Sequence, residues 1–521
     1  MQLFENASFI SCEDENQIHS VMVEENGKII YLGKSVPEEF RDTTRCDLGG
    51  TCVVPAFADT HIHFEQFSMF LNSLDTRNAN NFNDLGIMIR EYIEKHPSEK
   101  IILGFGSSAH TVEEKRLPTR YDLDAITSRP VCIIKYDGHA AMANTPFLGE
   151  LPSSVTTARG FDKSTGTFYQ ESFYRVAHHL ARSVSVTKLF RDLILGTEYM
   201  AHKGIALVHT VEGVGFPLDL DVDLMRLASW GLPQQFRIYF QTMDTKKVRR
   251  RKMPRVGGCF ATALDGCFGS QDAALKEPYA NNSTNNGVLF YPQPTVTEFV
   301  TKANRAGLQV AMHAVGDAAV EQALCAYESA LAGFPRKNHR HVIIHADVID
   351  RAQIERAASL GIFIALQTPF LDWSLEPANY LESLIGKRME NFLPLRSLID
   401  AGIILGNGSD APCTFPDPIF GIHAACNHPN SDQRISPLDA LRMATNWAAK
   451  ISFDDREHGT LSIGKRADFV VLDQNPLDIP PGKIRNTKIL DLYLSGRRYN
   501  GRDTGAAKLL MRSLKNKMLS Y

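Results

Sequence analysis

No Cys-x-x-Cys pair occurs among the nine cysteines of this 521-residue chain, and their number is odd. They read as reduced thiols, so a cytoplasmic location is expected. There is no excess of positive charge either: 56 basic side chains face 59 acidic ones, a net charge of −3. That balance excludes a bulk electrostatic case for binding nucleic acid. No apolar run reaches about 18 residues, which argues against a membrane span. The opening MQLFENASFISCEDENQ carries acids and no basic segment leading into an apolar one, so no signal peptide is expected. No repeat shows at a period of about 20–50 residues. With 44% hydrophobic and 22% charged residues, the composition excludes a disordered or collagen-like chain.

What is present is an alternation of apolar, strand-like runs with helix-length segments. The runs are Thr51 to Asp59, Ile205 to Thr210, Phe236 to Gln241, Cys259 to Asp265, Leu308 to His313, His341 to His345, Gly361 to Gln367 and Ile403 to Asp410. Several are almost wholly apolar, as parallel strands covered on both faces are. The pattern predicts an α/β fold, a (β/α)₈ TIM-type barrel over 53–455 with a long insertion after the first strand, at about 64–204. An open doubly wound sheet also alternates strand and helix. It is disfavoured because histidines, rather than a glycine-rich phosphate loop, follow the first strand. Short alternating segments in 1–52 and 456–521 predict a small β-sandwich domain built from both termini, since neither end alone holds enough strands for a core. The basic run Lys246 to Lys252 reads as a solvated face. The stretch Ala506 to Met518 reads as a docked or solvated terminal helix rather than a membrane anchor.

The chemistry gathers where strands end. The strand period of two puts Asp59, His61 and His63 on one face. Three more runs close on a residue able to bind a metal: His313, His345 and Asp410. A buried histidine or aspartate in such a place needs a partner or a cation, and a barrel brings these ends together. Shared metal ligation follows, and imidazoles with one carboxylate suit Zn²⁺, with Fe²⁺ or Mn²⁺ as alternatives. His209 also ends a run, where Glu212 or the backbone could satisfy it. Phe370 and Trp373 could wall a pocket or belong to the core.

Seven segments together resemble the amidohydrolase superfamily, specifically its YtcJ-like branch, which includes deformylases of N-substituted formamides. They are Val54 to His63, Asp137 to Asn144, Leu264 to Gly266, His313 to Val320, Val342 to Ala346, Gly408 to Pro412 and Gly464 to Asp468, in the family's order along the chain. The resemblance implies that His61, His63, His313 and Asp410 bind the catalytic metal. It implies that His345 binds a second metal or holds the attacking water, and that His139 lies near the substrate. His139 could equally stabilise its own loop, and Asp265 could anchor the turn at Gly266 or contact the ligand. One departure is Ala261, where many relatives carry a metal-bridging lysine. One ion is therefore expected, unless Glu171, Cys259 or Asp265 supplies another bridge.

The expected reaction is hydrolysis of a non-peptide, amide-like C–N bond, as in an N-acyl or N-formyl amine. Asp410 would move the proton from water to the leaving nitrogen, and His345 would orient the water or steady the oxyanion. A deaminase of a cyclic amidine is the enzymatic alternative, and a barrel that binds a ligand without turnover is the other. The expected partner is a small-molecule substrate, with no nucleic acid, no membrane, and a homodimer as an open option.

Overall fold

The computed structural model describes residues 1–213, 216–501 and 505–519. Positions 502–504 and 520–521 of the expected C-terminal segment lie outside the described residues. Eight parallel strands form the central barrel: β1 (Phe57–Ile62), β2 (Ile205–Glu212), β3 (Gln235–Phe240), β4 (Arg255–Ala263), β5 (Gln309–Ala314), β6 (Val342–His345), β7 (Phe363–Leu366) and β8 (Leu405–Asn407). Each pairs in parallel with the next in sequence. Residues of β1, β2 and β5 are buried throughout, as strands are when side chains fill the barrel inside and helices cover it outside.

The ring is nearly closed between β8 and β1 by individual bonds. The Asp410 amide donates to the His61 carbonyl (2.8 Å), and the His63 amide donates to the Ala411 carbonyl (3.0 Å). Ser409 donates its amide to the Asp59 carboxylate at 3.1 Å. This return of the last strand to the first excludes the open doubly wound sheet.

The first apolar run, expected as one strand from Thr51 to Asp59, is two strands. Arg45–Pro55 ends where Ala56 turns its amide to the Asp468 carbonyl, and Phe57 then donates to Gly204 as β1 begins. The hydrogen-bond partners change from the terminal sheet to the barrel at that point, which an unbroken apolar pattern cannot reveal. Arg45–Pro55 pairs in parallel with Gln2–Ile10 and antiparallel with Phe469–Leu472, joining both ends of the chain in one eight-stranded sheet. Its core packs Phe4 against Phe469 and Tyr493, with ring centroids 5.1 and 5.4 Å away.

The insertion between β1 and β2 carries a six-stranded sheet with its own apolar cores. It then runs through helices α1 (Gln170–Ser183) and α2 (Val186–His202) into β2. The terminal helix Ala506–Leu519 docks through Leu509 and Ser513, and Ser513 donates to the Ala228 carbonyl. In the basic run, Lys247 and Arg251 pair with Asp219 and Asp223 while Val248 is buried. Among the described residues, no helix is long and apolar enough to cross a membrane.

One strand departs from regularity. β4 pairs with β5 as far as Gly258, loses register, and regains it at Ala263. Gly257 and Gly258 enter this bulge at φ of 108° and 128°, and Phe260 inside it lies at 42°. A Cβ on Gly257 would stand 1.8 Å from the Ala311 carbonyl oxygen, so only glycine fits. Gly257→Ala is therefore expected to destabilise the fold by about 1–3 kcal/mol from strain and overpacking. Gly149→Ala, where an added Cβ meets nothing within 4 Å, should leave stability nearly unchanged. Thermal unfolding of both variants beside the parent checks this.

Candidate metal centre

The barrel brings His61, His63, His313, His345 and Asp410 to one end, all buried. Nε2 of His61 lies 3.0 Å and Nε2 of His63 3.5 Å from Asp410 Oδ1. The His345 ring sits between two of the others, with centroids 5.5 Å from His61 and 4.4 Å from His313. Backbone strain is concentrated here too: His345 and Asp410 hold φ of 75° and 54°, a region that non-glycine residues occupy at a cost of about 1–3 kcal/mol. Such a cost persists only where the surroundings fix it.

Burial and neighbours set the charges. Burial alone would raise the Asp410 pKa, but hydrogen bonds with His61 and His63 hold it well below the usual carboxylate range. Burial lowers His63 despite the adjacent Asp410, and lowers His345 to about 4. His313 falls well below the imidazole range through burial and the nearness of His345 and His139. These three rings are thus neutral at neutral pH and offer lone pairs. Nδ1 of His63, Nδ1 of His313 and both ring nitrogens of His345 have no hydrogen-bond partner. A buried, unsatisfied nitrogen costs about 1–3 kcal/mol, and three such neutral rings beside a carboxylate, each offering one lone pair, form a donor set that fits a divalent cation.

Cys259, in the β4 bulge, belongs to the same cluster, with Sγ 3.3 Å from His61 Nε2. His61, His63 and Cys259 have ligand atoms within 4.8 Å of one another; so do Cys259, His313 and His345, and so do His61, His345 and Asp410. Glu171 and Asp265 are elsewhere. Glu171 is exposed on α1 and pairs with Arg175. Asp265 is fully buried and accepts from the amides of Ala274, Val315 and Gly316 at 2.8–2.9 Å. Burial pushes its pKa up to about 8 against those three donors. It fastens the loop after β4 to the end of β5, 3.6 Å from His313, and does not line the cavity. Of the two further histidines singled out in the sequence, His139 and His209, the first faces the cavity. His209 lies in the barrel interior with both ring nitrogens unpartnered, so neither Glu212 nor the backbone satisfies it; burial takes its pKa down to about 3.

Two chambers meet at the cluster. The larger, open to solvent, is walled by Phe70, Phe105, Ile134, Phe173, Leu180 and Leu189. The smaller holds Asp347, Glu376, Phe370 and Trp373. Both are lined by Asp137, His139, His313, His345 and Asp410. Phe370 stacks on Trp373 at 4.9 Å and lies parallel to the His345 ring at 6.4 Å, so these aromatics wall the pocket. Lys135, Asp137 and Ser270 tie the inserted sheet to the loop after β4, and Tyr136 donates to Glu376 in the loop after β7 (2.7 Å). Lys135 holds Asp137 below the usual range despite its burial.

The sequence reading missed the larger chamber's wall, although Phe173, Ala177 and Leu180 recur at a helical spacing that could have marked it. Asp347 and Glu376 lie in loops whose pattern carries no such signal.

The amidohydrolase family model matches residues 45–185 and 237–499. YtcJ of Bacillus subtilis (strain 168) is 26% identical over 492 residues, covering 87% of this chain and 90% of its own. An N-substituted formamide deformylase of Arthrobacter pascens is 25% identical over 543 residues, covering 94% and 96%. The crystal structure of an uncharacterized metal-dependent hydrolase from Pyrococcus horikoshii OT3 superposes with a TM-score of 0.77 at 26% identity, over 92% of this chain and 99% of that one. With the barrel, the terminal sheet and the buried histidine cluster in place, the chain belongs to the amidohydrolase family and is a metal-dependent hydrolase.

Proposed function

We propose that this hydrolase cleaves the amide-like C–N bond of a small molecule, an N-acyl or N-formyl amine. The observation that carries the reading is the cluster of buried histidines, three of them with unpartnered ring nitrogens, gathered with the ionised Asp410 at the floor of an apolar chamber. His61, His63, His313 and Asp410 would hold the catalytic cation, with His345 beside them. A bound zinc ion, or iron or manganese in its place, supplies Lewis-acid polarisation and a more acidic water. Asp410 is kept ionised by its two histidines, so it accepts a proton from the attacking water and returns it to the departing nitrogen. His345, with free ring nitrogens and an aromatic neighbour fixing its plane, orients the water or steadies the oxyanion, a role worth about 3 kcal/mol.

His139, facing both chambers, is assigned to the substrate. Asp265 is assigned to holding His313 and its loop in place. The apolar chamber suits a hydrophobic substituent on the amide, and the deformylase relative acts on a bond of this kind by its name. The cyclic-amidine deaminase keeps one supporting observation: Asp347 Oδ1 lacks a partner and, with Glu376, gives the smaller chamber acceptors for ring N–H groups. The presence of all five candidate donor residues weighs against a barrel without turnover.

The metal-loaded protein incubated with a panel of N-acyl and N-formyl amines is expected to release carboxylate, assayed alongside ammonia. Ammonia release from cyclic amidines without amide cleavage would shift the assignment to the deaminase. Asp410→Asn should lower kcat by at least about 10²-fold, and full activity in a metal-replete variant would remove Asp410 from the proton-transfer role. Phe173→Ala should raise KM for substrates with large apolar substituents by about 10-fold or more, from about 1.5–3 kcal/mol of lost burial. N-formyl amines with small substituents should be little affected, and steady-state kinetics across a substituent series reads the difference.

A further inference from the structure

The β4 bulge carries the side chain of Cys259 against the histidine cluster, with Sγ 3.3 Å from His61 Nε2. The bulge is held on both sides. The Cys259 amide donates to Gln241 Oε1 (3.0 Å), and the Thr262 hydroxyl donates to the carbonyls of Gly258 (3.0 Å) and Cys259 (3.2 Å). Ala261, two residues on, is exposed, and its carbonyl accepts from the Tyr291 hydroxyl (3.1 Å). Ala261, which the family resemblance sets where many relatives carry a bridging lysine, therefore faces away from the cluster, and a sulfur faces into it.

Cys259 is the only residue common to the triad with His61 and His63 and the triad with His313 and His345. Three of those four histidines carry a ring nitrogen with no partner; His345 has two and is only 3% exposed. A thiol at this place is not explained as a core residue packed on apolar neighbours, since its closest polar contact is His61 Nε2. Burial and Asp410 keep it protonated in the absence of a cation, whereas a coordinating thiol is deprotonated outright.

We propose that Cys259 is a metal ligand whose thiolate is shared by two cations, one on the His61–His63 side and one on the His313–His345 side. It takes the place of the lysine bridge, so the single-ion expectation drawn from Ala261 gives way to a binuclear centre. On binding, the thiol proton leaves to solvent and the sulfur lone pairs are donated; no electron is transferred. The inference rests on the hydrolase reading above for its histidine ligands and adds the sulfur and the second ion.

The test uses the full chain stripped of metal and titrated with Co²⁺ while its absorption is followed. The intact protein is expected to take up about two equivalents and to develop a near-ultraviolet thiolate-to-cobalt charge-transfer band beside the visible d–d bands. Cys259→Ser should lose that band, bind about one equivalent fewer, and retain d–d absorption. Cys413→Ser, a change of another cysteine that lines both chambers, should keep the band. A band that survives in Cys259→Ser, or vanishes in Cys413→Ser, overturns the assignment to Cys259. In the intact protein, which raises no question of misfolding, cobalt bound without a charge-transfer band overturns the thiolate ligand and leaves the histidine centre standing. No cobalt bound at all overturns both. A single equivalent that still shows the band overturns the sharing between two ions.

Discussion

The carboxylate of Asp410, fixed between the imidazoles of His61 and His63, is the interaction on which the rest depends. It spans the one join of the barrel made by individual bonds, where the last strand returns to the first. Closure of the sheet and assembly of the reactive cluster are consequently a single event. Gly408 shows how tight the join is, since a Cβ there would lie 2.7 Å from the His61 amide nitrogen. The positive φ of Asp410 and His345 is strain that this closure sustains. Orphaned ring nitrogens add to that cost, and a cation that satisfies them contributes its binding energy to the folded state.

Around this cluster the insertion adds an apolar chamber to a packed barrel. The barrel interior is filled by side chains, so space for a ligand must come from what is added above it. Helix α1 supplies the apolar wall, and the Lys135–Asp137–Ser270 and Tyr136–Glu376 bonds hold the inserted sheet to two barrel loops. These bonds lie in buried surroundings, where polar groups are costly to leave unpaired and a satisfied network fixes geometry.

The barrel and its cluster were legible because both depend on local pattern. Buried parallel strands give apolar runs, and a polar residue closing such a run stands out, as His313, His345 and Asp410 do. The break at Ala56 was hidden because both flanking strands are buried, and apolarity does not report which sheet a strand pairs with. Asp265 read equally well as an anchor or a ligand contact, since only coordinates show three amides converging on one carboxylate. Cys259 stood in the sequence beside Glu171 and Asp265 as a substitute for the missing bridge, and only coordinates separate the three, because a bulge breaks the period of two from which facing along a strand is inferred.

The strand Arg45–Pro55 joins residues near both ends of the chain, with Val53 opposite Val471 and Phe4 packed on Phe469. During synthesis the N-terminal strands emerge first and must wait for more than four hundred further residues before their partner Phe469–Leu472 exists. Through that interval one edge of the early sheet is open, and β1, which follows directly, has no finished floor beneath it. Contacts so distant in sequence form late and slowly. The edge is therefore the place where a newborn chain is most exposed to pairing with a neighbour, and its protection falls to whatever attends the ribosome until the last strand arrives.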